Sequence, residues 1–289
     1  MTSKIKENNK NILRAGLYIV ATPIGNLSDI TFRAIDTLRD ADLIACEDTR
    51  VSKTLLDKYG IKTPTTSVHN YNESDRIEFL KSQIDEGKAI AFISDAGTPL
   101  ISDPGYKVSS LLRNLGYYVT IIPGPSAPIA GLVLSGFPSD RFMFIGFVPT
   151  KNNEKAGFFN EIKNERATVI FFESPNRILE TLKTLDEIFD KRKICLVREI
   201  TKIYEEVHSG TAKDLISYFT LNPPRGEFVG LISPCEETEN IDALKIKEML
   251  SSLLEHMSLK DASEFISSTF DLSKKTVYNI GLEMKNKEN

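Results

Sequence analysis

The sequence predicts an α/β protein: two successive α/β domains, the first built on a parallel sheet, followed by a short helical segment. Three observations lead there. Short, nearly all-apolar runs such as Gly16–Ala21 and Ala89–Ile93 alternate with amphipathic stretches, the pattern of strands covered on both faces by helices. A second alternating series begins after Gly136. From about Asp242 onward only helical periodicity remains. The length of 289 residues suits about two domains.

In the first series Gly16–Ala21 reads as a buried strand. Asp29 or Ser28 is placed to cap a helix with Ile30, Ala34 and Leu38 on one face. Leu43–Cys46 is a strand, Val51–Tyr59 a short helix and Thr66–Val68 a candidate strand. Ser74 precedes a helix with Ile77, Leu80 and Ile84 aligned. Ala89–Ile93 is a strand, Tyr106–Leu115 a helix that Gly116 ends, and Val119–Ile122 a strand. In the second series Phe142–Val148, Thr168–Phe172, Ile194–Val197, Glu205–Ser209 and Phe228–Ile232 read as strands. Helices are expected over 152–165, over Arg177–Phe189, and from a Thr211 cap through Phe219. The implied organisation is a disordered arm over 1–15, a first domain over 16–136, a second over 137–235 and a helical tail over 242–287. In the tail, a helix around Leu244–Leu254, a helix over Leu259–Ile266, a turn at Thr269–Asp271 and a helix capped by Ser273 follow a helix-turn-helix order. Two readings of it stay open: a nucleic-acid contact, or a cap over apolar surface.

Composition narrows the function classes. No apolar run approaches the roughly 20 residues of a membrane span, and no apolar segment follows the polar N-terminus as in a secretory signal. Cys46, Cys195 and Cys235 are scattered, which fits a reducing cytoplasm and small buried side chains and gives no metal site. The net charge of −4 announces no nucleic-acid binder, but the acidic surplus lies in 236–289, with 11 acids against 7 Lys and Arg. Any basic surface is therefore local.

Chemistry concentrates where strands end, which is where open parallel sheets bind ligands. Five Gly- or Pro-bearing or charged stretches fall there: TPIGN (22–26), EDTR (47–50), SDAGTP (94–99), PGPS (123–126) and ESPNR (173–177). The dinucleotide GxGxxG, the phosphate loop GxxxxGK[ST], GxSxG and HExxH are all absent. What remains is a cleft of small residues and one carboxylate, Asp95. Its backbone groups suit an adenine edge, and Asp95 suits ribose hydroxyls or a nearby cation.

The chain resembles the tetrapyrrole methylase superfamily of S-adenosylmethionine-dependent methyltransferases. The resembling segments run in order from 17 to 230: LYIVATPIGNLSDITFRAIDTL, ADLIACEDTRVSKTLL, ISDAGTPLISDPG, IIPGPSA, GFVP, FFESPNRI, LVREITKIYEE and RGEFV. Within the superfamily they are similar to the RsmI type, which acts on a cytidine 2′-oxygen of bacterial 16S ribosomal RNA. The SDAGTP loop stands where other branches often carry a GGDP-like sequence. The resemblance implies two α/β domains, the second with a mixed sheet, and a cofactor cleft between them. It implies S-adenosylmethionine held by Ile24, Gly25, Ser94, Asp95, Ala96, Gly97, Thr98, Ser126, Ala127, Phe172, Glu173, Ser174, Phe228 and Val229. It further implies a homodimer and a 16S RNA substrate in the 30S subunit. Competing readings are a corrin or porphyrin methyltransferase and a ribosome factor that binds the cofactor without turnover.

Methyl transfer to a 2′-hydroxyl calls for a base. Glu47, Asp48 and Glu73 are the candidates, each also readable as a capping or ion-paired carboxylate. RNA phosphates call for cations. Arg50, Lys53, Arg76, Arg177, Arg198 and Lys202 would form a rim, with Lys260, Lys274, Lys275 and Tyr278 extending it from the tail; ordinary paired surface charges are the other reading.

Overall fold

The structure is a computed structural model that describes residues 13–68, 73–103, 105–189, 192–235, 243–270 and 272–285. The strands are the apolar runs. β1 (Gly16–Val20), β4 (Ala89–Ile93) and β10 (Phe228–Ile232) are buried at every residue, so each is covered on both faces. The first sheet also takes in β2 (Leu43–Cys46), β3 (Thr65–Ser67) and β5 (Val119–Ile122). Its order is β3-β2-β4-β1-β5 and every pair is parallel. The helices between are α1 (Phe32–Asp40), α2 (Thr49–Lys58), α3 (Glu73–Asp85) and α4 (Tyr106–Asn114). The α1 cap differs from expectation. Thr31 accepts the Ala34 amide, while Ser28 and Asp29 belong to a short 3-10 turn capped by Asn26. A Thr hydroxyl next to the first helical residue satisfies an orphan amide that a carboxylate two residues earlier does not reach.

The second sheet is mixed: β6 (Phe142–Phe147), β7 (Thr168–Glu173), β10, β8 (Ile194–Arg198), β9 (Glu206–Gly210) in spatial order, with only β6 and β7 parallel. α6 (Asn152–Glu161), α7 (Ile178–Ile188) and α8 (Ala212–Leu221) complete it. The Thr211 cap forms with Asp214 as a reciprocal capping box. A further helix, α5 (Ala127–Ser135), was not expected from the sequence. It is apolar nearly all round, with Pro128 in its first turn and Gly131 inside, so it carries no amphipathic stripe. It follows the last strand of the first sheet and packs on the second: Leu132 shares a cluster with Ile170, Val197, Ile200, Val229 and Leu231, and Ile24 of the first sheet joins the same cluster.

The chain divides into two compact units, Met1–Pro234 and Cys235–Asn289. In the second, α9 (Ala243–Leu254), α10 (Leu259–Thr269) and α11 (Lys274–Lys285) bury Ile246, Leu250, Leu259, Ala262, Ile266 and Val277 among themselves. Of the arm expected over 1–15, residues 1–12 lie outside the described residues. Leu13 packs on the first core, and the Arg14 guanidinium lies 4.7 Å from the centre of the Tyr118 ring. Among the described residues no helix is long and apolar enough to cross a membrane.

A Cβ on Gly131 would stand 2.7 Å from Val229 Cγ1, so α5 reaches the sheet only because this residue has no side chain. Gly131→Val is expected to cost about 1–3 kcal/mol by overpacking. Urea unfolding measures it, and an unchanged midpoint would show that α5 is free to move away.

Candidate active site

The strand ends of both sheets converge on one cavity of about 500 Å³. From the first sheet come Ile24 after β1, Glu47 after β2, the 95–98 and 101–103 segments after β4, and Ser126–Pro128 at the start of α5. From the second come Phe147, Phe172 to Pro175, Arg177, Ile200 and Glu227 to Val229. The walls are mostly apolar, with few polar groups set among them, as in most ligand sites.

The 94–103 loop is pinned from beneath. Thr22 and Gly97 exchange both backbone hydrogen bonds, at 2.9 and 3.1 Å, and the Thr98 hydroxyl donates to the Pro125 carbonyl at 3.0 Å. Gly97 has φ +79, and a Cβ there would press on Ile24 Cγ2 at 3.2 Å. Leu100 and Ser102 also sit in the left-handed region, at φ 74 and 65, without being glycine. Such strain persists only where surrounding contacts impose it, and it clusters at functional sites. A bulge in β6 at Gly146 (φ 75) shifts the register between Phe144 and Phe147. It turns Phe147 to the cavity, edge-on to Phe172 at 5.2 Å.

Three carboxylates give the cavity its charge. Burial raises the pKa of Glu47, and the neighbouring Asp95 and Asp103 charges raise it further. Asp95 is raised by burial although it accepts the Asp48 amide at 3.2 Å. Asp103 is raised by burial although its carboxylate is bonded to Ser94. Across the cavity the buried Glu173 is fully engaged. Its carboxylate pairs with Arg177 at 2.7 Å, takes the Thr181 hydroxyl at 2.6 Å and takes its neighbour Ser174's amide at 2.7 Å.

Of the fourteen residues expected at the cofactor, all line the cavity except Gly25 and Ser94. Gly25 instead admits the 199–205 loop, since a Cβ there would meet Lys202 Cγ at 2.7 Å. Ser94 is buried beneath the loop, its hydroxyl 3.3 Å from the Ala96 carbonyl oxygen. Of the candidate bases whose side chains are described, Glu47 lines the cavity and Asp48 does not. Asp48 caps α2 and holds Arg50, whose hydrogen bonds lower its pKa to about 2. Glu73 opens α3, and its side chain lies outside the described residues.

The expected cationic rim is largely paired. Arg177 holds Glu173, the Ser174 hydroxyl and the Val148 carbonyl. Arg198 bonds Glu206 at 3.0 Å, and Lys202 bridges Glu199 and Glu227. Arg50 pairs with Asp48 at 2.6 Å, and Arg76 lies over the Phe79 ring. Lys53 makes no ion pair with any described residue. In the tail unit Lys274 pairs with Glu264 at 2.6 Å, while Lys275 and Tyr278 are exposed. Asp103, Glu227, Phe147 and Ile200 line the cavity but were not singled out from the sequence. Phe147 ends β6 and Ile200 follows β8, so the strand-end rule could have found them. Among the described residues no cluster of three or more His, Cys, Asp or Glu could hold a metal ion.

Residues 16–216 match the tetrapyrrole (corrin/porphyrin) methylases. The chain belongs to this family. Residues 240–285 match the RsmI C-terminal HTH domain. The ribosomal RNA small subunit methyltransferase I of Rickettsia prowazekii is 44% identical over 271 residues, covering 93% of this chain and 97% of that protein. The protein of the same name from Thermotoga maritima is 44% identical over 217 residues, which cover 97% of it but only 75% of this chain. In fold the chain is similar to a cobalt precorrin-4 methyltransferase, with a TM-score of 0.56 at 20% identity, over 75% of this chain and 94% of that one.

A carboxyl whose pKa rises on folding holds its proton more tightly in the folded state. Its ionised form therefore costs stability. That cost is full above the folded pKa and vanishes below the unfolded value near 4. Asp103→Asn is expected to raise the urea midpoint at pH 7 and to leave it unchanged near pH 3.5, roughly the unfolded carboxyl range. Equal midpoints at both pH values would show that Asp103 carries no such penalty.

Proposed function

We propose that this chain transfers a methyl group from S-adenosylmethionine to the 2′-oxygen of a cytidine in 16S ribosomal RNA of the small subunit, as a cytoplasmic homodimer. The observation that carries the reading is a mostly apolar cavity of nucleoside size with a candidate base, Glu47, in its lining. The names of the relatives support the RNA substrate. For the homodimer, the support is the apolar face of α5, where Ile129, Val133 and Leu134 are exposed and a second copy would cover them.

The residues present fit S-adenosylmethionine. A side chain at position 97 would crowd the cavity floor against Ile24, so glycine keeps it open. Ile24, Phe172 and Val229 offer apolar surface to adenine, Asp95 offers a carboxylate to the ribose hydroxyls, and the amide end of α5 suits a carboxylate. When bound, this cofactor supplies a methyl already activated on a positively charged sulfur. The chain then has to align a poor nucleophile and exclude water. Methyl transfer to the 2′-oxygen would leave the bonding electron pair on sulfur. Glu47 takes the 2′-proton. Its raised pKa makes it a stronger base than an ordinary carboxylate.

Methyl transfer to undermethylated 30S particles tests this. Glu47→Gln should lower turnover by about 10²–10⁴ with cofactor affinity unchanged. Retention of more than about a tenth of turnover would mean that Glu47 is no strong base. Asp95→Ala should weaken cofactor binding by about 10- to 150-fold in calorimetry. Unchanged affinity would take Asp95 out of the site.

The tail would add RNA contacts through Lys275 and its neighbours and none to the cofactor. Ending the chain near Glu239 should leave cofactor affinity near native and weaken 30S binding. Full-rate methylation by the shortened chain would make the tail a cap.

A further inference from the structure

A second recess, of about 370 Å³, lies between α2 and the edge strand β3. Arg50, Lys53 and Lys62 line it with the side chains of Thr49, Thr63 and Thr65; Asp57 is the one carboxylate in its lining. The Thr63 hydroxyl is committed to the Leu38 carbonyl at 2.7 Å, so the hydroxyl donors left are those of Thr49 and Thr65. Lys53 and Lys62 are exposed and make no ion pair with any described residue, whereas most other cations near the cavity are paired. Arg50 is held in place by Asp48, with Nε and Nη2 both on that carboxylate. The recess carries a net positive charge even with Asp48 and Asp57 counted against it.

Its position matters as much as its charge. Glu47 lines the main cavity and Thr49 lines the recess. Two residues of chain span at most about 7 Å. A polyanion whose reacting sugar lies at Glu47 can therefore set a neighbouring phosphate in the recess. We propose that this recess is a subsite for a backbone phosphate of the RNA substrate, next to the nucleotide that is methylated, with Lys53 and Lys62 as its principal contacts. The proposal rests on the RNA-methylating reading above.

The test is binding of the full chain to undermethylated 30S particles across a salt series. Each phosphate contact on single-stranded nucleic acid contributes about −0.7 to the slope of log affinity against log salt. Lys53→Ala/Lys62→Ala should make that slope shallower by about 0.7, the share of one phosphate, and weaken binding by roughly fourfold at 0.15 M salt. Cofactor affinity by calorimetry should stay as in the wild type. Lys53→Arg/Lys62→Arg should restore the slope. Lys183→Ala/Lys213→Ala, on α7 and α8, removes the same charge elsewhere and should leave the slope as it was. An unchanged slope in the recess variant, or an equal change in the α7 and α8 variant, overturns the subsite. Absence of methyl transfer by the wild-type chain would instead overturn the functional reading, and the subsite with it.

Discussion

The packing of α5 against the mixed sheet is the contact on which the rest depends. The helix leaves the last strand of a parallel sheet and buries Leu132 among Val197, Val229 and Leu231 of the other. Without it the two sheets would be joined by a linker, and the cavity walls would keep no fixed distance. Closeness is bought by one missing side chain, at Gly131. An interior of this density has little room for adjustment, so a single methyl group decides whether the two halves meet.

The second constraint is electrostatic. The cavity gathers Glu47, Asp95 and Asp103, while most nearby cations are turned to other tasks. Arg177 stabilises the buried Glu173, and Lys202 ties the 199–205 loop to Glu227. Carboxylates left without cations in a partly dry cavity have raised pKa values. The same arrangement would draw a cationic sulfonium into the cavity and hold RNA phosphates outside it. Under the proposed function this charge pattern would give the donor and the acceptor's backbone separate places.

Much of this was legible in the sequence, for physical reasons. Strands covered on both faces must be apolar throughout, so β1, β4 and β10 stand out as runs. Loops at the ends of such strands collect Gly, Pro and polar residues, which marked the cleft; the fourteen cofactor residues came from the family resemblance, and twelve of them line the cavity. α5 was not legible because it is apolar nearly all round and carries no amphipathic stripe. The pairing of the cations was not legible either. Lys202 and Glu227 are 25 positions apart, and only the antiparallel β8 and β10 bring them together. Asp103 lay inside a quoted motif, but nothing in its spacing distinguishes a carboxylate aimed at the cavity from one aimed at water.

The sheet order has a consequence for how the chain is made. β1 is synthesised first, yet it lies between β4 and β5, whose residues follow roughly 70 and 100 positions later. The turn after β1 waits longer still: the Asn26 amide finds its partner, the Thr201 hydroxyl, 175 residues downstream. Contacts so distant in sequence form slowly, because the entropy of closing the loop must be met before they reward it. During translation Ile24 and the apolar face of α5 stay uncovered until Val229 has emerged. The nascent protein thus spends most of its synthesis with half a binding site exposed, a stage at which chaperones and wrong partners compete for the same surface.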